Sequence, residues 1–319
     1  MNKKGKQKMN KQENKILILD STVVDIYENG KTVVGGCGCN VASVLKNRGK
    51  AYDFFTPIGD DKYADMIEEE LKEYNNIPCK IEGETSGHCK IIIGENKERT
   101  FDVCDGVEVK YKKEWLDNID ISKYNYVYIP GFALKDQESA KAIVEWFEEH
   151  RNIQIIFAPG PSIEDNKIDE KILKRIFSLK PIVHINDEEV INYIANCKDD
   201  GVIYENYDVE ESTKKLWKKT GNIVVVTMGS KGAGIYDENG FRVIPGEKIE
   251  KEKVVDTSGA GDNHCGGFIS GLFEGMSTEE AVKLGNKIAS DVIQIYGPKL
   301  GKKTDVNEIV EGEGHERNK

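Results

Sequence analysis

The stretch Val254-Val255-Asp256-Thr257-Ser258-Gly259-Ala260-Gly261-Asp262 carries the clearest chemistry in the chain. A short β-prone run leads into a Gly-Ala-Gly turn, and a helical pattern starts at or just before Asp262. Glycines let backbone N–H groups approach an anion, and a helix N-terminus adds partial positive charge. Gly259, Ala260 and Gly261 are therefore a candidate anion hole for a phosphate or a phosphoryl group in transfer. At its mouth, the Asp262 carboxylate is placed to take the proton of an attacking hydroxyl. The same residue types also suit a plainer reading, an Asp that caps a helix after a glycine turn. The length of the stretch, which continues into Gly266-Gly267-Phe268, favours the chemical reading.

Such residues need a frame. An apolar run over 15–19, closed by Asp20, reads as a buried strand. Asn29-Gly30, between β-prone stretches at 25–27 and 32–34, signals a two-residue hairpin. Gly35-Gly36-Cys37-Gly38-Cys39-Asn40 follows and opens an amphipathic helix over 41–47, stopped at Gly49. A strand over 51–58 and a helix over 65–74 come next, then a second hairpin over 88–103 with its turn at Gly94-Glu95-Asn96. Strands at 126–129, 153–158, 182–185 and 223–228 then alternate with helices at 137–149, 169–179, 187–195 and 210–218. Helices at 262–273 and 278–296 close the pattern.

This alternation predicts an α/β fold, a three-layer domain whose mainly parallel central sheet is covered on both faces. The two hairpin segments, 25–35 and 88–104, are read as a small β-sheet lid over a site, in preference to surface ornaments. Residues 1–14 read as a disordered basic tail, 15–303 as one domain, and 304–319 as a charged tail.

Bulk properties exclude several classes. A net charge of −11 and a pI near 5.2 argue against a nucleic-acid-binding surface. No apolar run approaches the ~20 residues of a membrane helix, and the first fifteen residues lack the apolar core of a secretory signal. Neither nucleic acid nor membrane is expected as a partner. Seven cysteines, an odd number without an export signal, predict unpaired thiols in a reducing, cytoplasmic setting. Cys37-x-Cys39 and His88-Cys89 are too tightly spaced for an ordinary zinc site and are read as buried or pocket-lining groups.

Asp256-Thr257-Ser258-Gly259-Ala260-Gly261-Asp262 with Gly266-Gly267-Phe268 closely resembles the signature of the ribokinase/PfkB family of sugar and nucleoside kinases. Three further motifs match in the family's order: Gly35-Gly36-x-x-x-Asn40-Val41-Ala42, Asn186-Asp187-Glu188-Glu189, and Thr227-Met228-Gly229-Ser230-Lys231-Gly232. The resemblance covers most of the chain. It implies a ribokinase-like fold and ATP-dependent phosphoryl transfer to a hydroxyl of a small sugar.

The resemblance also implies a role for each position. Asp262 would be the general base, with Gly259, Ala260 and Gly261 as the anion hole. Asn186 and Glu189 would organise Mg²⁺, largely through water, although the same pair also fits a helix capping box. Thr227, Gly229 and Gly232 would approach the nucleotide, with Asn286 where a late helix passes the adenine. Asp25, Gly36 and Asn40 would contact the acceptor. Asp256 and Ser258 would help hold a monovalent cation such as K⁺, together with a loop near Val292 and Gly297. The lid, with strand edges to cover, suggests a homodimer.

Departures from the family pattern fall around the substrate. Asn263-His264-Cys265 stands where small or aromatic apolar residues are usual, and His264 is expected to pack in the core. Asp20 stands where many relatives have glycine, and Cys37 and Cys39 stand where some sugar kinases have lysine or alanine. The acceptor therefore stays open. A nucleoside kinase of the same family is the alternative, with Phe54, Phe101, Phe132 and Tyr27 as aromatic candidates that core or lid packing explains more readily. A non-catalytic ligand-binding protein on the same fold is a third reading. The absence of Gly-x-Gly-x-x-Gly after the first strand, and of a P-loop, excludes dinucleotide-dependent dehydrogenases and P-loop enzymes.

Overall fold

The apolar run at the start of the folded chain forms β1 (Lys15–Leu19), in which Ile16, Leu17, Ile18 and Leu19 are all fully buried. Burial on both faces marks the centre of a parallel sheet. The structure, a computed structural model, describes residues 14–28, 30–93, 99–163, 167–197 and 208–300. The expected turns at Asn29 and Gly94-Glu95-Asn96, the Phe101 side chain, and the expected tails (Asn14 apart) lie outside the described residues.

After β1 come β2 (Val23–Tyr27), β3 (Thr32–Gly35), α1 (Cys37–Asn47), β4 (Tyr52–Phe55), α2 (Lys62–Leu71) and β5 (Asn76–Ile77). The chain continues through β6 (His88–Ile93), β7 (Arg99–Cys104), α3 (Lys113–Leu116), β8 (Tyr124–Pro130), α4 (Gln137–Glu149) and β9 (Gln154–Ala158). Then follow α5 (Glu170–Ser178), β10 (Ile182–Asn186), α6 (Asp187–Asn196), α7 (Val209–Thr220) and β11 (Val224–Thr227). The last elements are β12 (Ala233–Asp237), β13 (Gly240–Ile244), α8 (Ala260–Phe273) and α9 (Thr278–Val292).

Nine strands pair in the order β13-β12-β11-β10-β9-β8-β1-β4-β5. The sheet is parallel from β5 to β11, and β12 and β13 add an antiparallel edge. Alternate residues of β1 serve two cores. Leu17 and Leu19 join Trp146, Phe147 and Ile176 of α4 and α5 on one face. Ile16 and Ile18 join Val41 and Leu45 of α1 and Phe268 and Ile269 of α8 on the other. This is the expected three-layer arrangement.

A second sheet of order β3-β2-β6-β7 is built from two antiparallel hairpins joined by the parallel pair β2–β6. This is the small lid sheet expected from the two separated hairpin patterns.

Several elements differ from the sequence reading: β5 and α3 were not in it, β4 is shorter than 51–58, and α2 starts at Lys62 and ends at Leu71 instead of spanning 65–74. The hairpin β12–β13 was not anticipated, although Asn239-Gly240 carries the same turn signal as Asn29-Gly30, with Gly240 at φ 90°. The first helix starts at Cys37 instead of 41, because a distant carboxylate, described below, supports its N-terminus. The last helix stops at Val292 instead of 296, because the carbonyl of Ile293 is taken by the amides of Val255 and Asp256.

Candidate active site

Among the described residues no side chain caps the N-terminus of α8. Gly259 precedes it at φ 69°, in the left-handed region, and a Cβ there would lie 2.5 Å from Pro298 Cβ. Only glycine suits both the conformation and the approach. At Gly261, by contrast, nothing among the described residues lies within 4 Å of where a side chain would begin, so this side of the first turn of α8 is open. Asp262 stands in that turn, half-buried. Its Oδ2 accepts a hydrogen bond of 2.8 Å from Asn40 Nδ2, and the Cys37 thiol also bonds to it. Burial raises its pKa to about 6, against the pull of the Asn40 and Cys37 bonds, while the nearby Asp20 charge adds to the rise. A carboxylate so tuned is ionised at neutral pH yet more basic than an ordinary aspartate.

Asp20, at the end of β1, explains the glycines opposite it. Its carboxylate is 1% exposed and accepts from Gly38 N–H at 3.0 Å and Thr22 Oγ1 at 3.1 Å. A Cβ on Gly36 would lie 2.6 Å from Asp20 Oδ2, and one on Gly38 would lie 2.5 Å from its Cγ. Gly36 also holds φ 131°. The buried anion thus sits against the N-terminus of α1, where the helix dipole favours it. Burial still raises its pKa, with hydrogen bonds from Gly38, Ser21, Thr22 and Cys39 opposing. By seating α1 this way, Asp20 aims Asn40 and Cys37 at Asp262.

Asp25 lies on β2 of the lid, its carboxylate packed so closely on Gly35 that a side chain there would displace it. Burial raises its pKa to about 6, and the Lys299 charge works in the opposite direction. In the large sheet, Asn186 ends β10 and Thr227 ends β11. Both sit at carboxyl ends of parallel strands, where open α/β sheets bind ligands. Asn186 and Glu189 form a reciprocal capping box: Asn186 Oδ1 accepts from Glu189 N–H at 2.7 Å, and Glu189 Oε2 from Asn186 N–H at 3.2 Å. Burial pushes the Cys37 thiol pKa up, and the charges of Asp262, Asp20 and, more weakly, Glu189 add to the rise. Beyond Thr227, Gly229 and Gly232 hold φ 55° and 97° in a tight turn, and Gly232 packs against the Ile244 carbonyl.

Residues 13–305 match the profile of the pfkB family carbohydrate kinases. The chain belongs to this family. It is 30% identical over 266 residues to the uncharacterized sugar kinase YegV of Escherichia coli strain K12, covering 82% of this chain and 78% of that one. It is 26% identical over 257 residues to adenosine kinase of Schizosaccharomyces pombe, covering 76% and 74%. In structure it resembles the ribokinase of Thermotoga maritima, with a TM-score of 0.72 at 23% identity over 89% of this chain and 94% of that one. The chain is a carbohydrate kinase, a phosphotransferase of the sugar and nucleoside kinase family, and ATP-dependent phosphorylation follows from that membership. Among the described residues no helix is long and apolar enough to cross a membrane.

Within this pfkB kinase, several residues do more than their motif suggests. Asn286 is 6% exposed and turns its Nδ2 to the carbonyls of Ile244 and Pro245, at 3.1 and 3.2 Å, pinning the exit from β13. Asp256 receives Ser258 N–H on Oδ1 at 2.9 Å and Gly297 N–H on Oδ2 at 3.2 Å, joining the loop before α8 to the segment after α9. His264 faces the core: its Nδ1 lies 2.8 Å from His184 Nε2, both rings are buried, and burial lowers both pKa values, that of His264 to about 4. Gly266 and Gly267 let α8 touch Val44 of α1 and Gly285 of α9.

Sequence reasoning missed Lys299 altogether. It lies beyond α9, is 7% exposed, and donates to Val34 O at 2.7 Å and Glu70 Oε1 at 3.0 Å. No motif marks it, because its partners come from the lid and from α2.

Proposed function

We propose that this kinase transfers the γ-phosphoryl group of ATP to a hydroxyl of a small sugar, with Asp262 as general base. The observation that carries the reading is Asp262 in the first turn of an uncapped helix, held by Asn40 and tuned to about 6. Asp262 takes the acceptor's proton as its oxygen attacks. The amides around Gly259, Ala260 and Gly261, with the dipole of α8, stabilise charge on the phosphoryl oxygens. Asp25, Gly36 and Asn40 bind the acceptor. Asn40 Oδ1 is buried and makes no hydrogen bond among the described residues, which supports reading it as an acceptor for a substrate hydroxyl.

Thr227, Gly229, Gly232 and Asn286 shape the nucleotide side. Asn186 and Glu189 supply hard oxygen donors of the kind Mg²⁺ takes, mostly through its waters, and Mg²⁺ when bound neutralises phosphate charge. Asp256 and Ser258, joined to the segment after α9, are the place assigned to a monovalent cation such as K⁺. A sugar is favoured over a nucleoside because Phe54 is fully buried and stacked on Tyr74, with ring centroids 5.9 Å apart, and so offers no face to a base. Phe132 and Tyr27 are the partly exposed aromatics that remain. The lid carries exposed apolar side chains, Ile92 at 43% and Val103 at 51%, which supports a homodimer through this sheet. A cytoplasmic setting completes the reading.

An ATP-consumption screen of sugars, sugar acids and nucleosides, with Mg²⁺ and with or without K⁺, tests it. Turnover with a sugar supports the proposal. Turnover with nucleosides alone overturns the sugar assignment.

A further inference from the structure

Residues 293–299 cross the site from its phosphate end to its lid. Ile293 O accepts from Val255 N–H at 2.8 Å and from Asp256 N–H at 3.3 Å. Gly297 N–H then reaches Asp256 Oδ2 at 3.2 Å. Pro298 packs on Gly259, and its carbonyl accepts from Asn263 Nδ2 at 2.7 Å. The next residue is Lys299, whose ammonium leaves the phosphate end and bonds Val34 O of β3 and Glu70 of α2. Val34 adjoins Gly35, on which the Asp25 carboxylate rests. One short strap therefore touches the Asp256 loop, the start of α8, and the strand beneath the acceptor carboxylate.

The ammonium at the end of this strap is almost wholly removed from water. A buried cation persists only where partners replace its hydration, and here a carbonyl and a carboxylate do so. An ion pair kept for stability alone would need Glu70 and nothing more. The bond to Val34 O ties the lid itself, and the Lys299 charge also acts on Asp25.

We propose that Lys299 is a positioning residue that fixes β3 and Asp25 of the lid in register with the anion-hole loop. This inference rests on the reading of Asp25 as an acceptor ligand. Lys299 makes no contact with the reacting atoms. It acts through Val34 and Asp25, so its loss shows in acceptor binding before it shows in nucleotide binding.

The test compares wild type with K299M, K299R and the double variant E70L/K299M. The double variant replaces the ion pair by apolar groups of similar size, which proteins generally tolerate. Two readouts are taken: amide hydrogen exchange over residues 32–36, and steady-state kinetics with ATP and the acceptor found in the screen. K299M and the double variant are expected to raise the acceptor KM about tenfold or more, with the ATP KM within about twofold. Exchange at 32–36 is expected to quicken in both, and K299R to recover part of the acceptor KM. The double variant is expected to regain thermal stability without regaining acceptor binding. An acceptor KM within about twofold of wild type in the double variant overturns the inference. If wild type phosphorylates no compound in the screen, the functional reading fails instead. Exchange then decides alone, and unchanged protection over 32–36 in the double variant overturns the inference.

Discussion

Asn40 Nδ2 lies 2.8 Å from Asp262 Oδ2, a bond between residues 222 positions apart. It joins the helix that follows the lid hairpin to the helix that carries the proposed base. Asn40 is buried on α1, and α1 is seated by Asp20, so the Asp262 carboxylate takes its orientation from the end of the first strand of the sheet.

Asn40→Ala is expected to lower kcat/KM for the acceptor by about 10–100-fold, the range for a hydrogen bond to a charged group. The pH profile should move as well. Asn40 favours the ionised form of Asp262, so its loss raises the pKa of the base above its value of about 6. The acid limb of the kcat/KM profile then shifts to higher pH, and the variant loses more activity at pH 6.5 than at pH 8.5. A pH–rate series on both proteins checks this.

Two glycines of the proposed anion hole should respond in opposite ways. Gly259→Ala places a methyl at φ 69° and against Pro298, and is expected to destabilise the fold by about 2–4 kcal/mol. Gly261→Ala meets nothing within 4 Å and lies in a helix, so stability should hold or rise by up to about 1 kcal/mol. Its methyl faces the cleft, however, and kcat should fall. Urea midpoints with kcat measurements separate the two outcomes.

Glu189→Gln keeps the capping box, since glutamine can also accept from the Asn186 amide, and removes only the charge. Stability should change by less than about 1 kcal/mol. The Mg²⁺ concentration giving half-maximal rate should rise about tenfold, because a divalent cation loses a carboxylate. A Mg²⁺ titration at saturating ATP reads this directly.

The Gly-Ala-Gly-Asp turn was readable because its conformational demands are local: Gly259 needs φ 69°, and Asp262 follows in the same turn. Strand and helix periodicity likewise carried the three-layer sheet and the two lid hairpins. The start of α1 was not readable, since its support comes from Asp20 across the fold. Lys299 was silent for the same reason: its partners at Val34 and Glu70 are 265 and 229 positions away. Asp20 looked like a departure from the family pattern, yet its carboxylate is what Gly36 and Gly38 make room for.

The buried His184–His264 pair predicts an acid-sensitive fold. Burial lowers the pKa of His264 to about 4, below the ordinary value of 6.5. The unfolded chain therefore takes up protons first as pH falls below about 6.5, and stability is lost from there down towards pH 4. Asp25 and Asp262, raised to about 6, act in the opposite sense, because the folded state takes up their protons first. The net slope is thus less telling than a difference. His264→Gln retains a partner for His184 without titrating, and should lose about 2 kcal/mol less than wild type between pH 7 and pH 5. Chemical denaturation at the two pH values measures it.

The central claim is that Asp262 removes the proton of the acceptor hydroxyl, and Asp262→Asn tests it most directly. Asparagine has nearly the same shape and can still accept the bond from Asn40, but it cannot act as a base. The comparison is single-turnover phosphoryl transfer in wild type and variant, with ATP affinity and melting temperature measured alongside. The account predicts a rate lower by about 10³-fold or more, with ATP affinity within about threefold and the fold intact. A variant that transfers the phosphoryl group within about tenfold of the wild-type rate would contradict it.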